Sequence, residues 1–233
     1  MFLADLTWEE ASDYIEEKDG LIIPIGICEQ HSKHLPLNTD TVVAEYLCNY
    51  LSDKTGMLVA PTINYGVGLP CDKHYPGSAS ISHGDLRNML AALIDWWKFQ
   101  GFRNFFVISA HGDPFHLDAL RNTGHERVFI LQLYDINLEG ILEKQIAAKH
   151  ACEAETSFML YLFPNKVKKE RIEDFEMPFE QFKDYLSHLR DDAIPNSPGC
   201  QGHPSYATAK KGKKIIQKMK ENALTWIRTV SQR

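Results

Sequence analysis

Apolar residues along the chain fall into two kinds of run, and these predict strands and helices in alternation. Short, nearly continuous apolar runs predict buried strands over 21–27, 57–63, 105–108 and 127–134. Apolar residues that recur at helical spacing predict helices over about 39–53, 82–100, 115–123 and 151–163. Strands that are apolar on both sides need cover on both faces. The pattern therefore predicts an α/β protein in which helices cover both faces of a parallel sheet.

Several residues mark where the predicted helices begin and end. Thr7 and Glu10 have the spacing of a capping box, which predicts that an N-terminal helix begins there. Gly56 is expected to end the helix that begins near residue 39. Two helical patterns flank His150, so we expect one helix before this residue and one after it. Apolar residues between 215 and 227 predict a final helix whose lysines face solvent.

Composition and charge narrow the classes of function. The chain has 233 residues, of which 44% are hydrophobic and 24% are charged, which suits a single domain over residues 1–233. A net charge of −6 and a pI near 5.9 argue against nucleic acid or an anionic membrane as partner. No apolar run approaches the roughly 20 residues that span a bilayer, and the N-terminus lacks the pattern of a signal peptide. Five cysteines without a CxxC motif favour reduced thiols and a cytoplasmic location.

Polar side chains with metal-binding chemistry follow the predicted strands. Glu29 and His31 follow the first strand, Asp40 begins the next helix, and His111 and Asp113 follow the third strand. The carboxyl ends of parallel strands lie at one edge of a sheet, where function gathers. Taken singly, Asp40 could cap a helix and His111 could be a hydrogen-bonded buried histidine. Together, three carboxylates and two imidazoles suffice for two divalent cations that share one carboxylate.

A second group of candidates lies between residues 150 and 157. His150 is followed by Glu153 and Glu155 at the start of a predicted helix. Acidic residues in a first turn are favoured by the helix dipole alone, but a histidine with two acids also suits a metal site with a general acid or base. His74 lies in the Gly/Pro-rich loop after the second strand, where it could contact substrate or brace the loop.

The combination of these motifs resembles the creatininase (creatinine amidohydrolase) family over roughly residues 5–215. The matching motifs are Glu29-Gln30-His31, His34-Leu35-Pro36-Leu37-Asn38-Thr39-Asp40, His74-Tyr75-Pro76-Gly77-Ser78, Ala110-His111-Gly112, His150-Ala151-Cys152-Glu153-Ala154-Glu155-Thr156-Ser157 and Gly202-His203-Pro204-Ser205-Tyr206-Ala207-Thr208-Ala209. The resemblance implies a three-layer α/β/α fold with a mostly parallel central sheet. It also implies two divalent metal ions per chain (Zn, Mn or Fe), a small-molecule substrate and a homo-oligomer, commonly a hexamer.

The resemblance also implies a set of metal ligands. Glu29, Asp40 and His111 would hold one metal, and His31 and Asp40 would hold the other together with one further carboxylate. That carboxylate is Asp113 by analogy with creatinine-cleaving members and Glu153 by analogy with many others. Asp is one methylene shorter than Glu, so Glu153 is favoured, with Asp113 nearby or in contact with substrate.

The implied reaction is hydrolysis of a C–N bond in a cyclic amide, formamide or related substrate by a metal-bridging hydroxide. His150 would donate or shuttle a proton, and Glu155 would orient its ring. Creatinine-specific members hold substrate between two tryptophans, and the corresponding positions here are Tyr134 and Ile146. Tyr134 is therefore a candidate for substrate binding, and creatinine itself is doubtful as substrate.

Two other functions remain open. The chain departs from the family pattern at Ser32, Asp113 and Cys152, as expected for a metal-binding scaffold that has lost catalysis. Cys28 or Cys152 with a histidine could instead form a thiol hydrolase.

Overall fold

The structure, a computed structural model, describes residues 1–232 and contains a four-stranded parallel sheet. The strands are β1 (Gly20–Ile25), β2 (Leu58–Val59), β3 (Asn104–Ser109) and β4 (Val128–Gln132), in the order β2-β1-β3-β4. β1 and β3 pair in parallel from Gly20 opposite Asn104 to Ile25 opposite Ser109. The strand order reverses between β1 and β3, and open α/β sheets bind ligands at the carboxyl ends of the strands beside such a reversal.

Helices cover both faces of this sheet, which confirms the three-layer α/β/α prediction. The helices are α1 (Trp8–Glu17), α2 (Thr39–Thr55), α3 (His83–Gln100), α4 (Pro114–Arg121), α5 (Glu153–Leu162), α6 (Phe179–Leu186) and α7 (Ala209–Val230). Side chains of successive strand residues point to opposite faces. Ile22 and Phe106 therefore pack with α2, α5 and α7, while Leu21, Ile23 and Phe105 pack with α1, α3 and α4. No helix of the described residues is both long and apolar enough to cross a membrane.

Two predicted helix boundaries are confirmed in atomic detail. The Thr7 hydroxyl accepts a hydrogen bond from Glu10 N at 3.3 Å, and the Glu10 carboxylate accepts one from Thr7 N at 2.7 Å, which completes the capping box of α1. Gly56 follows α2 with φ of 69°, a left-handed conformation in which glycine avoids a steric penalty.

The helix predicted before His150 is wrong, because residues 135–149 form turns, bends and irregular backbone. The backbone N–H groups of Glu143 and Lys144 donate to the Glu153 carboxylate, at 3.0 and 3.2 Å, instead of to a carbonyl one turn earlier. The Glu153 carboxylate thus accepts the hydrogen bonds that these two N–H groups would donate to backbone carbonyls in a helix. The predicted strand over 57–63 shortens to β2 and an isolated pairing of Ile25 with Ile63. Helix α6 was not predicted.

One glycine allows α2 to approach the end of β1 closely. A Cβ on Gly26 would lie 2.5 Å from Thr41 N, closer than such atoms can approach. The missing side chain lets the first turn of α2 pack directly after β1. Asp40, in that turn, is thereby brought to the same edge of the sheet as the residues that follow β1.

Candidate metal centre

Five buried side chains from four parts of the fold converge at the carboxyl ends of β1 and β3. Glu29 and His31 follow β1, Asp40 lies in the first turn of α2, His111 follows β3, and Glu155 lies in the first turn of α5. Each is at most 6% exposed. Buried ionised groups are unfavourable unless they are paired or bind a metal, so this cluster needs charge compensation.

Asp40 lies at the centre of the cluster. Its Oδ1 is 3.2 Å from His31 Nε2, and its Oδ2 is 3.2 Å from His111 Nδ1. Glu29 Oε1 is also 3.2 Å from His111 Nδ1, and Glu155 Oε2 is 3.8 Å from His31 Nε2. The cluster therefore contains two groups of three that share Asp40, and the ligand atoms within each group lie within 4.8 Å of one another.

Backbone carbonyls set the orientation of both imidazoles. His111 Nε2 is 2.9 Å from Val67 O, and His31 Nδ1 is 3.2 Å from Glu29 O. Because a carbonyl can only accept, these two nitrogens carry hydrogen and donate. The opposite nitrogen of each ring faces the carboxylates, the arrangement by which metal-binding histidines are held in the right tautomer.

The electrostatics of the cluster favour added positive charge. Burial lowers the pKa of His31, but Asp40, Glu155 and Glu29 outweigh burial and raise it to about 10. Burial is likewise outweighed at His111, where Glu29 and Asp40 raise the pKa well above its usual value. Asp40 Oδ2 is buried, and its 3.2 Å approach to His111 Nδ1 lacks the alignment of a hydrogen bond. Protons on the imidazoles or divalent cations would each supply the missing charge, and the donor set of carboxylates and imidazoles suits the latter.

Glu155 lies in the group around His31, and Glu153, the carboxylate favoured from the sequence, lies outside both groups. The buried Glu153 carboxylate accepts hydrogen bonds from three donors. These are the backbone N–H groups of Glu143 and Lys144 and, at 2.7 Å, Lys211 Nζ. Residues two apart on a helix point about 200° apart. Glu153 and Glu155 therefore face opposite sides of α5, and only Glu155 faces the cluster.

Asp113 also lies apart from the two groups, although it lines a cavity that opens onto the cluster. Its Oδ1 accepts from His116 N at 2.8 Å and caps α4, and its Oδ2 is 2.7 Å from His188 Nε2. Both carboxylate oxygens thus have partners within the fold. The structure therefore does not bring Asp113 together with the other predicted ligands.

His150 lies at the edge of the cluster with its side chain 26% exposed. Its Nε2 donates to Gln30 O at 2.8 Å, and its Nδ1 is 3.5 Å from Glu29 Oε1. Burial, with the charge of His31, lowers the pKa of His150 to about 4. Glu155 does not orient this ring as expected, because its carboxylate accepts from Ala151 N and faces His31.

A cavity of about 840 Å³ opens onto the cluster. Tyr134 lines it, and the Tyr134 hydroxyl is buried without a hydrogen-bond partner among the described residues. His74 does not line it: this side chain is exposed, and its Nε2 donates to Asp191 O at 2.9 Å, a contact that matches the loop-bracing alternative. Ile146 is 66% exposed and likewise does not line the cavity.

The cavity wall includes residues that sequence reasoning missed. Gln30 Nε2 donates to Asp72 Oδ1 at 3.2 Å, and both side chains line the cavity. Burial and the nearby charge of Glu29 raise the pKa of Asp72 to about 7. Apolar residues on and beside α6 also line the cavity, namely Met177, Phe179, Phe182 and Leu186. In the sequence, only Gln30 could have been identified as a candidate, because it lies between Glu29 and His31 in the Glu-Gln-His motif.

The two candidate thiols lie outside this cavity wall. Cys28 Sγ contacts Gly77 O, and Cys152 is fully buried. Burial, with the charge of Glu155, raises the pKa of Cys152 to about 11. A thiol at that position is protonated at neutral pH and is a poor nucleophile.

Comparisons with known proteins identify the family and the fold. The family model for creatininase, creatinine amidohydrolase, matches residues 4–227. A creatinine amidohydrolase of Pseudomonas putida is 26% identical across 93% of this chain and 92% of that protein. A mycofactocin precursor peptide peptidase of Mycolicibacterium smegmatis is 25% identical across 85% of this chain and 80% of its own length. A manganese form of creatininase has the same fold, with a TM-score of 0.79 and 23% identity over 98% of this chain and 97% of that one. This chain belongs to the creatininase family.

Proposed function

We propose that this protein is a dinuclear metal-dependent hydrolase that cleaves a C–N bond of a small cyclic amide, formamide or related substrate. The observation that carries the proposal is the position of Asp40. Its two oxygens lie 3.2 Å from nitrogens of two different imidazoles, and a second carboxylate stands beside each imidazole. A carboxylate that faces two donor sets in this way is suited to bridge two cations.

Each proposed metal has three protein ligands. Glu29, Asp40 and His111 would hold one cation, and His31, Asp40 and Glu155 would hold the other. The buried Asp40 Oδ2, which faces His111 Nδ1 without an aligned hydrogen bond, and the orientation of both rings fit divalent ions of the zinc, manganese or iron type. Such ions, when bound, supply Lewis acidity that activates water and polarises a carbonyl.

His150 is the candidate for proton transfer. Its lowered pKa keeps the ring neutral at pH 7, so the ring can take up a proton during hydrolysis and pass it to the leaving nitrogen. The hydrogen bond from His150 Nε2 to Gln30 O leaves Nδ1 as the accepting atom. This nitrogen lies 3.5 Å from a proposed metal ligand, Glu29, and therefore close to the reacting groups.

The cavity supports a small substrate. Its lining combines the carboxylate cluster with apolar residues on and beside α6, so a substrate with its hydrolysable group at the acids could place its remaining surface against Phe182 and its neighbours. Tyr134 stands where creatinine-cleaving members hold substrate with tryptophan, and Ile146 lies outside the cavity. We therefore place creatinine low among the candidates and favour other cyclic amides and formamides.

The test combines metal analysis with a substrate screen. Protein reconstituted with Zn, Mn or Fe is analysed for metal by mass spectrometry and assayed against cyclic amides, formamides and short peptides. Wild type should hold two equivalents per chain and hydrolyse at least one class, whereas Asp40→Asn should lose both properties. Asp53→Asn removes a charge from an exposed position of the same helix and should retain both. Full metal occupancy of Asp40→Asn would refute the site.

The same screen separates an enzyme from a scaffold. Protein that holds two equivalents of metal but hydrolyses none of these substrates would match the scaffold hypothesis. Activity that survives chelation but is lost on thiol alkylation would point to a cysteine nucleophile instead.

A further inference from the structure

His116 is a fully buried histidine on α4 that no step of the proposed mechanism uses. Its Nδ1 accepts a hydrogen bond from Val67 N at 3.2 Å. A neutral imidazole that accepts at one nitrogen carries its hydrogen on the other. That nitrogen, Nε2, is buried without a hydrogen-bond partner among the described residues. An apolar side chain would avoid the cost of this unpaired donor but could not accept from Val67, so packing alone does not account for a histidine here.

Val67 connects His116 to a proposed metal ligand. The carbonyl of Val67 accepts a hydrogen bond from His111 Nε2 at 2.9 Å. The other nitrogen of that ring, His111 Nδ1, lies 3.2 Å from both Glu29 Oε1 and Asp40 Oδ2. The N–H group and the carbonyl of one residue are thus bonded to two histidines, whose rings are nearly perpendicular with centroids 4.9 Å apart. The position of His116 Nδ1 therefore constrains the carbonyl that orients His111.

Two neighbouring residues fix the position of the His116 ring. Asp113 Oδ1 accepts from His116 N at 2.8 Å and caps α4, which places the first turn of this helix directly after β3. A Cβ on Gly66 would lie 2.5 Å from His116 Nδ1, closer than such atoms can approach. The φ angle of Gly66 is not in the left-handed region. The glycine is therefore required by the histidine ring that packs against it and not by its own backbone conformation.

We propose that His116 is a positioning residue for the metal centre. It holds Val67 so that the Val67 carbonyl accepts from His111 Nε2 and the opposite nitrogen, Nδ1, is free to bind metal. Its effect falls on the metal group that contains His111 and not on the one that contains His31. This proposal rests on the proposed function, since it assigns His116 a role only where His111 binds a metal.

Three substitutions of His116 separate positioning from packing. His116→Leu fills the space but leaves the buried Val67 N–H without an acceptor, so it should weaken metal binding by the His111 group about 10–100-fold, as is typical when the partner of a metal-binding histidine is lost. His116→Asn places an amide oxygen near the position of Nδ1 and should retain most of the affinity. His116→Gln places its amide near Nε2 and should not. If packing alone mattered, leucine would be the mildest of the three changes.

The measurement is zinc binding to metal-free protein in competition with a chromophoric chelator, which gives a Kd for each of two equivalents. In a Glu155→Gln background the His111 group is the remaining proposed site, and His116→Leu should weaken its zinc by the same factor. In a His111→Ala background the other group remains, and His116→Leu should leave its affinity unchanged. Urea denaturation of the metal-free proteins shows whether affinity merely follows stability.

His125→Leu is the matched control, because His125 Nε2 also bonds to a backbone group, Ala91 O at 3.2 Å, and does not line the cavity. It should leave both zinc affinities unchanged. Unchanged affinity in His116→Leu, equal losses in the leucine and asparagine variants, or equal weakening of both zinc ions overturns the role of His116 alone. If His116→Leu does not fold, the asparagine and glutamine variants make the same distinction. Wild type that holds no zinc overturns the proposed function as well.

Discussion

Glu153 and Glu155 are both buried in the first turn of α5, yet their replacement by glutamine should have opposite effects. Glu153→Gln should weaken the fold and leave metal binding intact. Glu155→Gln should remove one metal and leave the fold intact. The difference follows from the roughly 200° between their side-chain directions, which turns one carboxylate toward Lys211 and the other toward His31.

The loss of stability in Glu153→Gln follows from its partners. The side chain of Lys211 is only 14% exposed, so Glu153→Gln removes a largely buried ion pair between residues 153 and 211. Removing one partner of a buried pair destabilises by about 3–5 kcal/mol. Glutamine still accepts from the backbone N–H groups, and Lys211 keeps its exposed partner Glu143, so we expect about 2–3 kcal/mol. For a chain of this size each kcal/mol lowers Tm by about 2–4 °C, which gives a decrease of about 4–12 °C.

Glu155→Gln should instead stabilise the metal-free protein at neutral and higher pH. Burial, with Asp40 and Glu29, raises the pKa of Glu155 from 4.5 to about 8. Ionisation of such a group is more favourable in the unfolded chain, so wild type loses stability as pH rises from about 4.5 to about 8. The glutamine variant lacks this loss. The difference between the two proteins should therefore be near zero at the low end of that range and largest above pH 8.

The assay is urea denaturation at both ends of that pH range, with and without chelator, together with metal analysis of the reconstituted proteins. Glu153→Gln should retain two equivalents of metal per chain, and Glu155→Gln should retain at most one. Loss of metal from Glu153→Gln with unchanged stability would refute the assignment. So would two equivalents in Glu155→Gln.

Three further predictions concern the metal centre and the packing of helices. Chelation should lower the Tm of wild type, because a metal at 100-fold above its Kd adds about 2.7 kcal/mol to the free energy of unfolding. It should leave the Tm of Asp40→Asn unchanged, and equal decreases in both proteins would contradict the site. Gly212→Ala should destabilise by about 1–3 kcal/mol in urea denaturation, because its Cβ would lie 1.9 Å from Ser157 O where α7 crosses α5; a neutral effect would show that the helices separate easily. Thr7→Ala should destabilise by about 0.5–2 kcal/mol through the lost cap on α1, and an equal loss in Glu10→Ala would be consistent with the reciprocal capping box.

The approximate positions of four proposed ligands could be predicted because strand ends are visible in the sequence. Glu29, His31 and His111 follow apolar runs, and parallel strands bring such positions to one edge. Asp40 was predictable from the helix that begins beside it. Glu153 and Glu155 could not be separated, since the choice depends on the rotation of α5 about its axis. Asp113 is an acid at the predicted strand end, but its carboxylate caps α4 and pairs with His188, which is distant in the sequence.

The sequence by itself determined the alternation of strands and helices, the edge of the sheet at which chemistry gathers, and the family. It also leads to the single domain, the homo-oligomer and the cytoplasmic location, which stay predictions. Only the tertiary structure decided that Glu155 lies in the cluster, that His74 is exposed, and that Gln30 and Asp72 line the cavity. Periodicity and motif spacing are local properties of the chain. The direction in which a buried carboxylate points depends on donors contributed by distant segments, and those are known only once the layers are packed.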